Sequence, residues 1–345
     1  MSEAPGLPSR KADHIRINLE EDVSSSSSTG LENYYFINEA LPEINLSSVD
    51  TSLNLFGKKL KAPILISSMT GGTEQALKIN CILAEAAQKA GIAMGLGSQR
   101  AGIEHPEVEY SFKVRHLAPD VLLFANLGAV QLNYSYALDH CKRAVDMIEA
   151  DALILHLNPL QEALQPEGDT MFDGLANKIA QVCRQLPVPV IAKEVGWGIS
   201  SKTAHLLASA GVAAIDVAGA GGTSWSQVEM YRNKDEHLTN VASAFRGWGI
   251  PTSASILEVK HGAPDLLVFA SGGLQNGIDI AKCIALGAEL GGMAGLFLKA
   301  AFISLDATIQ TIHEIQREIQ ICMFATGTPD LSALRHARLV KKEGA

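Results

Sequence analysis

Residues 187–194 read PVPVIAKE, and this stretch is the clearest indication of the fold class. Its apolar residues at 190–192 stand next to one another instead of alternating with polar ones. A strand with this pattern is buried on both faces, which is typical of a parallel sheet covered by helices. Lys193 and Glu194 follow directly and place two charges at the end of that buried strand.

Runs of the same kind recur along the chain, separated by helical patterns. Eight runs occur, at residues 64–68, 92–96, 121–125, 152–157, 188–192, 213–217, 266–270 and 288–293. Helical stretches at 74–90 and 202–210 are each followed by glycine, a typical helix C-cap. Eight strand–helix repeats predict an α/β fold, namely a (β/α)8 TIM barrel.

Residues 1–60 lack the recurring apolar runs and helical patterns of residues 61–345. The first part predicts an irregular N-terminal extension, and its serine run at 24–28 predicts a mobile loop because serine buries no apolar surface. The second part predicts the barrel, with a helix near 255–260 and helical periodicity at 305–326 that covers it. No Pro/Ser/Gly-rich linker divides two globular halves, so we expect one domain with an extension.

The composition is that of a globular protein. Of 345 residues, 47% are hydrophobic and 19% charged, which excludes a disordered chain, a coiled coil or a collagen-like fibre. The net charge of −9 disfavours nucleic-acid binding. We expect no membrane span, since no apolar run reaches roughly 18 residues, and no secretory signal. The five cysteines are scattered, which predicts reduced thiols, no zinc site and a cytoplasmic location.

Glycine and polar residues gather where the predicted strands end, which is the catalytic end of such barrels. Gly221-Gly222-Thr223 follows the sixth strand, Gly272-Gly273 the seventh and Ala294-Gly295 the eighth. Glycine lets a phosphate approach the backbone, and free N–H groups at a helix start bind it. A single Gly-Gly pair can equally shape a tight turn, so it is the three turns together that favour a phosphate site.

Lys193 needs an anionic partner, because a charge at the end of a buried strand is costly. It is expected to face an anion in the barrel mouth, to form a structural salt bridge, or to act as a Schiff-base lysine. Asn126 and Ser68-Met69-Thr70 offer polar atoms to a flat heterocycle. With the phosphate turns, this lining suits a mononucleotide, FMN above all. The chain has no G-x-G-x-x-G fingerprint for a dinucleotide.

A second anion site is indicated by basic and donor groups on an otherwise acidic chain. Such groups bind diphosphates, and the candidates are Ser9, Arg10, Lys11, His14, Arg100, His156 and Asn158. Glu162 is either a solvated loop carboxylate or a ligand for Mg²⁺, which takes one or two carboxylates plus substrate phosphates. Met69, Trp197 and Trp225 either wall an apolar pocket or pack at the barrel rim.

Taken together, these motifs resemble type 2 isopentenyl-diphosphate isomerases over residues 9–300. The residues that carry the resemblance are Arg10-Lys11-x-x-His14, Met69-Thr70-Gly71-Gly72, Gly97-Ser98-Gln99-Arg100, His156-Leu157-Asn158-Pro159-Leu160-Gln161-Glu162, Lys193-Glu194-Val195-Gly196, Gly221-Gly222-Thr223-Ser224-Trp225 and Ser271-Gly272-Gly273. HLNPLQE with the N-terminal RK-x-x-H and MTGG is the most specific part.

The resemblance implies a flavoenzyme that interconverts isopentenyl and dimethylallyl diphosphate without net redox change. It implies reduced FMN, NADPH to reduce it, and Mg²⁺. The residues implied to hold FMN are Ser68, Met69, Thr70, Ser98, Asn126, Lys193, Thr223, Gly272, Gly273, Leu274, Ala294 and Gly295. Those implied to hold substrate are Arg10, Lys11, Ser98, Gln99, Arg100, His156, Asn158 and Gln161. Glu162 is the implied Mg²⁺ ligand, and a homo-oligomer, tetramer or octamer, is expected.

Proton transfer to and from an unactivated alkene is the chemistry that such an enzyme must perform. Reduced FMN stacked on the alkene is the hypothetical acid and base, with Gln161 and Glu229 as second candidates. We place Glu229 on a loop, where it could equally be a surface carboxylate. The chain departs from many relatives at Gln275, where they carry arginine, which puts the phosphate grip at that point in doubt.

Three alternatives remain open at the level of the sequence. An FMN-dependent α-hydroxy-acid oxidase shares barrel and phosphate site, but it needs a histidine base, and none follows strand six or seven. A Schiff-base aldolase would use Lys193 and carry no flavin. A non-catalytic flavin-binding protein would need neither the basic cluster nor Glu162.

Overall fold

The structure is a computed structural model that describes residues 7–342, with side chains described from residue 13 onward. In chain order the strands are β1 (Tyr34–Phe36), β2 (Leu53–Leu55), β3 (Lys58–Leu60), β4 (Ile64–Ile66), β5 (Ala93–Gly95), β6 (Leu123–Gly128), β7 (Ala152–Leu157), β8 (Val190–Glu194), β9 (Ala214–Asp216), β10 (Leu267–Ser271), β11 (Leu290–Met293) and β12 (Leu339–Lys341). The helices are α1 (Leu7–Glu20), α2 (Glu74–Ala90), α3 (Arg100–Glu104), α4 (Leu138–Ile148), α5 (Pro159–Leu164), α6 (Leu175–Gln185), α7 (Ser201–Ala210), α8 (Trp225–Arg232), α9 (Glu236–Ser243), α10 (Thr252–Gly262), α11 (Gly277–Ala285), α12 (Gly295–Ile303), α13 (Leu305–Ala325) and α14 (Leu331–Arg335).

Strands β4 to β11 close into one barrel in which every neighbouring pair is parallel. Each of these strands overlaps one of the eight predicted runs, so the (β/α)8 prediction is confirmed. The third strand differs in its bounds: it begins at Leu123 and ends at Gly128. Asn126 therefore lies within a strand and not after it.

The barrel is solid, because large apolar side chains fill its interior. Phe124 and Phe269 stack inside it with ring centroids 6.1 Å apart. Phe56, beside the hairpin of β2 and β3, packs edge-on against both rings. The hairpin thus covers one end of the barrel, and the strand ends with their polar residues form the other. Burying each such ring contributes about 1.5–3 kcal/mol relative to exposure.

The helices begin and end where the sequence provides caps. The Thr73 side chain accepts a hydrogen bond from the Ala76 N–H at the start of α2, and Ser200 does the same for Thr203 in α7. Gly91 and Gly211 end these helices in the left-handed conformation, with φ of 69° and 89°. The predicted C-caps are confirmed. Helices α10 and α13 confirm the predictions near 255–260 and 305–326.

The N-terminal extension is more regular than the sequence predicts. It contains helix α1, and β1 pairs antiparallel with β12 near the other end of the chain. The serine run is anchored, so the expectation of a mobile loop was wrong: Ser25 N–H donates to Gly222 O at 2.8 Å, and Ser27 Oγ to Gly247 O at 2.7 Å. Backbone N–H groups and serine hydroxyls both bond to neighbouring loops, so the segment is held without an apolar side chain. The division into residues 1–60 and 61–345 stays a prediction.

Candidate active site

A cleft opens at the carboxyl end of the barrel strands. It encloses about 900 Å³ of empty space, its open mouth included. Its lining consists of His14, Ser68, Met69, Gly97, Ser98, Arg100, Asn126, Gly128, Val130, Gln131, His156, Asn158, Gln161, Glu162, Gln165, Lys193, Val195 and Trp225. Ten of the predicted site residues are among them: Ser68, Met69, Ser98, Arg100, Asn126, His156, Asn158, Gln161, Glu162 and Lys193.

Strand register aligns part of this lining. Gly128 pairs with His156, His156 with Lys193, and Lys193 with Asp216 across four successive strands. His156 Nδ1 lies 2.8 Å from Asn126 Oδ1, so the amide fixes the orientation of the imidazole. Histidine and asparagine from neighbouring strands are thus held side by side at the cleft.

Three buried hydroxyls follow the first barrel strand and fit a bound heterocycle. The Oγ atoms of Ser67 and Ser68 and Oγ1 of Thr70 make no hydrogen bond within the described part of the chain. A buried hydroxyl without a partner costs about 1–3 kcal/mol. Polar atoms of a bound flavin ring would remove this cost, so the lining fits FMN. Trp225 and Met69 also face the cleft, whereas Trp197 lines a separate groove.

The predicted phosphate turns lie together at the ends of β9, β10 and β11. Gly272 and Gly273 have φ of 104° and 79°, and an added Cβ would stand 2.1 and 2.4 Å from carbonyl oxygens of Gly219 and Gly221. Only glycine allows these turns to pack backbone to backbone. Gly295 is different: nothing lies within 4 Å of its ideal Cβ. Open space at the start of α12, where N–H groups lack helical partners, fits a phosphate.

The other residues predicted at these turns lie next to the glycines. Ala294 is the N-cap of α12, Leu274 is buried, and Thr223 forms an isolated bridge with Ser24. Gln275, for which the sequence resemblance put the phosphate grip in doubt, donates from Nε2 to Gly273 O at 3.3 Å. It supports the turn without adding a charge.

Lys193 is paired within the barrel and also faces the cleft. Its Nζ lies 3.4 Å from Asp216 Oδ2 and donates to Glu194 O at 2.9 Å. The sequence offered a structural salt bridge and an exposed anion partner as alternatives, and the geometry provides the first while leaving room for the second. Asp216 is fully buried and was not singled out by the sequence.

A network of buried amides and carboxylates forms one wall of the cleft. Gln161 Nε2 donates to Glu229 Oε1 at 2.9 Å, and Gln165 Nε2 donates to the same oxygen at 2.7 Å. Asn158 Nδ2 donates to Gln161 Oε1 at 3.2 Å and to Glu162 Oε1 at 2.7 Å. The Gln161 amide therefore has both its donor and its acceptor end set by a neighbour, whereas Asn158 Oδ1 is buried and makes no hydrogen bond within the described part of the chain.

Glu229 is not the surface loop carboxylate that the sequence suggested. It lies on helix α8 and is only 1% exposed. The loop prediction was wrong: α8 packs against α1, α5 and α9, and these neighbours bury Glu229. Burial opposes ionisation of Glu229, but hydrogen bonding and charge from His14, the charge of Arg232 and the Gln161 amide outweigh it and lower its pKa to about 2.

Arg100 is held by two carboxylates at the rim of the cleft. Its Nε donates to Glu104 Oε1 at 2.8 Å and its Nη1 to Asp169 Oδ2 at 2.9 Å. An arginine has five N–H donors, so others remain for an anion. The Asp169 N–H in turn donates to Glu162 Oε2 at 2.8 Å. Asp169 thereby links the predicted anion-binding arginine to the predicted metal ligand.

The structure also separates some predicted residues from the cleft. The Gln99 side chain is fully buried, and its Nε2 donates to Ala144 O at 2.8 Å while its Oε1 accepts from Asn126 N. The side chains of Arg10 and Lys11 lie outside the described residues, as does Ser9, and only their backbone is placed, in α1.

Sequence reasoning missed Asp169, Gln131, Gln165, Asp216 and Arg232. Gln131 Nε2 donates to Asp169 Oδ2 at 2.8 Å, and Arg232 Nε donates to Glu229 Oε2 at 2.7 Å. For Asp216 a signal existed, since a charge inside an apolar strand run is unusual. For the others the chain itself gives no comparable signal.

The described residues provide neither a preformed metal cluster nor a membrane-spanning helix. Within residues 13–342, no group of three or more His, Cys, Asp or Glu side chains is placed to hold a metal ion. Glu162 alone fits Mg²⁺ only if a substrate phosphate completes the site. Among the described helices, none has the length and apolarity needed to cross a membrane.

Comparison with known proteins agrees with this geometry. The model of the FMN-dependent dehydrogenase family matches residues 7–108 and 145–341. Proteins named isopentenyl-diphosphate delta-isomerase from Nostoc sp. and Synechocystis sp. are each 54% identical, over 97% and 96% of this chain and 96% and 95% of their own lengths. One from Rickettsia bellii is 52% identical over 96% of both chains.

Solved structures show the same fold at low identity. A lactate oxidase of Pediococcus acidilactici has a TM-score of 0.67 and 14% identity, covering 96% of this chain and 87% of its own. A mandelate oxidase variant has a TM-score of 0.63 and 17% identity, covering 97% and 93%. Their likeness confirms the barrel alone, whereas the family model and the sequence relatives place the chain more closely. The chain belongs to the FMN-dependent enzymes of the isopentenyl-diphosphate delta-isomerase family.

Proposed function

We propose that this enzyme interconverts isopentenyl diphosphate and dimethylallyl diphosphate with reduced FMN, Mg²⁺ and NADPH as the flavin reductant. The observation that carries the proposal is the buried network of Gln161, Glu229, Asn158 and Glu162 on the cleft wall. Together with the names of its relatives, it supports a site that moves a proton on an apolar substrate while holding a charged group.

The diphosphate would lie between Arg100, His156 and Asn158. All three line the cleft, and Arg100 keeps donors beyond those used by Glu104 and Asp169. Charge-assisted bonds to phosphate are about twice as strong as neutral ones. Arg10 and Lys11 stay predicted partners of the same group. Gln99 would contribute only through its backbone, because its side chain is turned into the core.

Mg²⁺ would be held by Glu162 and the diphosphate. Both carboxylate oxygens accept hydrogen bonds, from Asn158 Nδ2 and from Asp169 N, which fix the plane of the group. A carboxylate has about four lone-pair directions, so one that accepts hydrogen bonds can also ligate a metal ion. Outer partners of this kind typically change metal affinity 10–100-fold when removed.

The flavin would lie across the other half of the mouth. Ser68, Thr70 and Asn126 would hydrogen-bond the ring system, Lys193 would favour its negative charge, and the turns at Gly273 and Gly295 would hold the phosphate. Reduced FMN would supply a proton near the alkene and an electron-rich face that stabilises positive charge on it. Met69 and Trp225 would exclude water from the apolar part of the substrate.

Gln161 and Glu229 would order the proton transfer without performing it as acids. With a pKa of about 2, Glu229 carries no proton to give near neutral pH. It fixes the Gln161 amide so that Nε2 points at the carboxylate and Oε1 at Asn158. In this role Glu229 sets the orientation of Gln161 at the cleft.

The decisive experiment is anaerobic turnover of the purified, FMN-loaded protein. Isopentenyl diphosphate with Mg²⁺ and a trace of NADPH should give dimethylallyl diphosphate far in excess of the NADPH consumed. Oxidation of mandelate or lactate with flavin reduction would instead favour α-hydroxy-acid chemistry, and borohydride trapping at Lys193 an aldolase. Assembly as a tetramer or octamer and a cytoplasmic location stay predictions from the sequence.

A further inference from the structure

Asp216 is a fully buried carboxylate inside the barrel that no step above uses. It is the last residue of β9, and strand register sets it beside Lys193 of β8 on one side and Phe269 of β10 on the other. A buried ionised carboxylate is expensive unless a positive charge and hydrogen bonds compensate it. The groups that compensate the charge of Asp216 therefore indicate its role.

The two carboxylate oxygens of Asp216 contact Ser271 and Lys193. Oδ1 accepts from Ser271 Oγ at 2.6 Å. Oδ2 has no hydrogen bond within the described part of the chain, and the Lys193 ammonium 3.4 Å away compensates its charge. Lys193 Nζ is also 3.4 Å from Ser271 Oγ, so the three side chains form one buried triangle.

The two charges of this triangle are not equally placed. Lys193 lines the cleft together with Ser68 and Asn126, whereas Asp216 lies behind it, away from the lining. A cofactor in the cleft would contact the ammonium directly and would interact with the carboxylate from a longer distance, behind the lysine. Charges this close interact strongly in a poorly solvated interior.

We propose that Asp216 is a positioning residue for Lys193, holding its ammonium at the flavin site and offsetting part of its charge so that the bound flavin is not over-stabilised in its reduced state. The inference rests on the placement of FMN in this cleft. Reduction adds electrons to the flavin, so an uncompensated positive charge nearby favours the reduced form. Asp216 lowers that preference.

The test is an anaerobic spectroscopic redox titration of the FMN-loaded protein. Asp216→Asn keeps the shape and removes the charge, so the midpoint potential should move to a more positive value. We expect at least a tenfold gain of the reduced form, which is about 30 mV for a two-electron couple. Lys193→Met should move the potential in the opposite direction. Glu258→Gln, a partly buried carboxylate outside this triangle, is the matched control and should leave it unchanged.

The combined variant separates the inference from the placement of the flavin. In the double variant the potential shifts of Lys193→Met and Asp216→Asn should not add up, because without Lys193 the carboxylate has no ammonium to position and acts through its own charge alone. If Lys193→Met leaves the potential of bound FMN unchanged, the flavin is not beside Lys193 and the placement fails. If Lys193→Met shifts it but Asp216→Asn does not, only the role of Asp216 is overturned.

A stability measurement covers the case in which Asp216→Asn does not retain FMN. Urea unfolding of the two single variants and the double variant, all without flavin, gives the coupling between the side chains. Lys193→Met should destabilise the protein more than the double variant does, because it leaves Asp216 buried without a counter-charge. Strictly additive effects would contradict the pairing on which the proposal depends.

Discussion

Gln161 Nε2 lies 2.9 Å from Glu229 Oε1, and this contact joins residues 68 positions apart in the chain. Gln161 lies on α5, which follows β7, and Glu229 lies on α8, which follows β9. The carboxylate is thus the element that decides which end of the Gln161 amide points toward Asn158.

Glu229→Gln should lower isomerisation at least tenfold, about 1.4 kcal/mol in the barrier. A neutral amide can present either its oxygen or its nitrogen to Gln161, so the fixed orientation is lost. The drop should appear in kcat more than in KM, since the substrate's diphosphate is held elsewhere. Glu167→Gln, which removes the other partner of Arg232, is the control and should retain most of the turnover. Equal kcat values for wild type and Glu229→Gln would contradict this role.

Glu229 should also shape the acid stability of the protein. Its folded pKa of about 2 is below the ordinary 4.5, so its contribution is fully present above pH 4.5 and is lost as the pH falls toward 2. Urea unfolding of wild type and Glu229→Gln at several pH values measures it. The difference in unfolding free energy between the two should shrink on acidification through this window, and a difference that grows would refute the assignment.

Glu194 should act in the opposite direction. Burial raises its pKa to about 7 from 4.5, although three backbone N–H groups and Lys193 favour the ionised form. The folded protein therefore binds a proton more readily than the unfolded chain between these values, so wild-type stability should fall as the pH rises from 4.5 to 7. Glu194→Gln should flatten that slope in pH-dependent thermal unfolding. An unchanged slope would show that Glu194 stays ionised throughout.

Gly295→Ala should weaken FMN binding without disturbing the fold. Nothing lies within 4 Å of the added methyl group in the protein itself, so the Tm of the flavin-free protein should remain at the wild-type value or rise slightly, as expected for alanine in a helix. The methyl group would occupy the space proposed for the phosphate. Fluorescence titration should show FMN affinity reduced about tenfold, equal to 1.4 kcal/mol. An FMN affinity equal to that of the wild type would show that the phosphate is not bound at this turn.

Glu162→Gln should raise the Mg²⁺ concentration needed for half-maximal activity at least tenfold. Loss of a residue that only supports a metal ligand lowers metal affinity 10–100-fold, and loss of a direct ligand should cost at least as much. Magnesium titrations of turnover at saturating substrate measure it. FMN content should stay unchanged, because Glu162 lies on the diphosphate side of the cleft. If the Mg²⁺ requirement of the variant matches that of wild type, the metal is bound by other groups.

The eight strands were predictable because burial on both faces leaves a mark in the sequence itself. Runs such as 152–157 and 288–293 are apolar over consecutive positions, and the bounds of β7 and β11 agree with them within two residues. The cleft residues that follow the strands, Ser68 and Glu162 among them, were predictable for the same reason, since parallel strands present their carboxyl ends on one side.

Other parts of the site depend on contacts between distant segments. Asp169 accepts hydrogen bonds from Arg100, 69 positions away in the chain, and from Gln131, 38 positions away. The residues next to Asp169 in the sequence do not indicate either partner. The serine run at 24–28 is polar and of low complexity, yet hydrogen bonds from its backbone and its hydroxyls to the loops at 222 and 246–247 hold it.

The barrel, the end at which its chemistry lies and the family can all be inferred from the amino-acid sequence, because strand burial and local motifs are properties of short stretches. Which polar groups meet follows from the folded chain: Glu229 is buried on α8 against Gln161, Asp216 stands behind Lys193, and Gln99 turns into the core. The free energy of a buried polar group is set by its neighbours in space, and those neighbours come from segments that the linear order does not bring together.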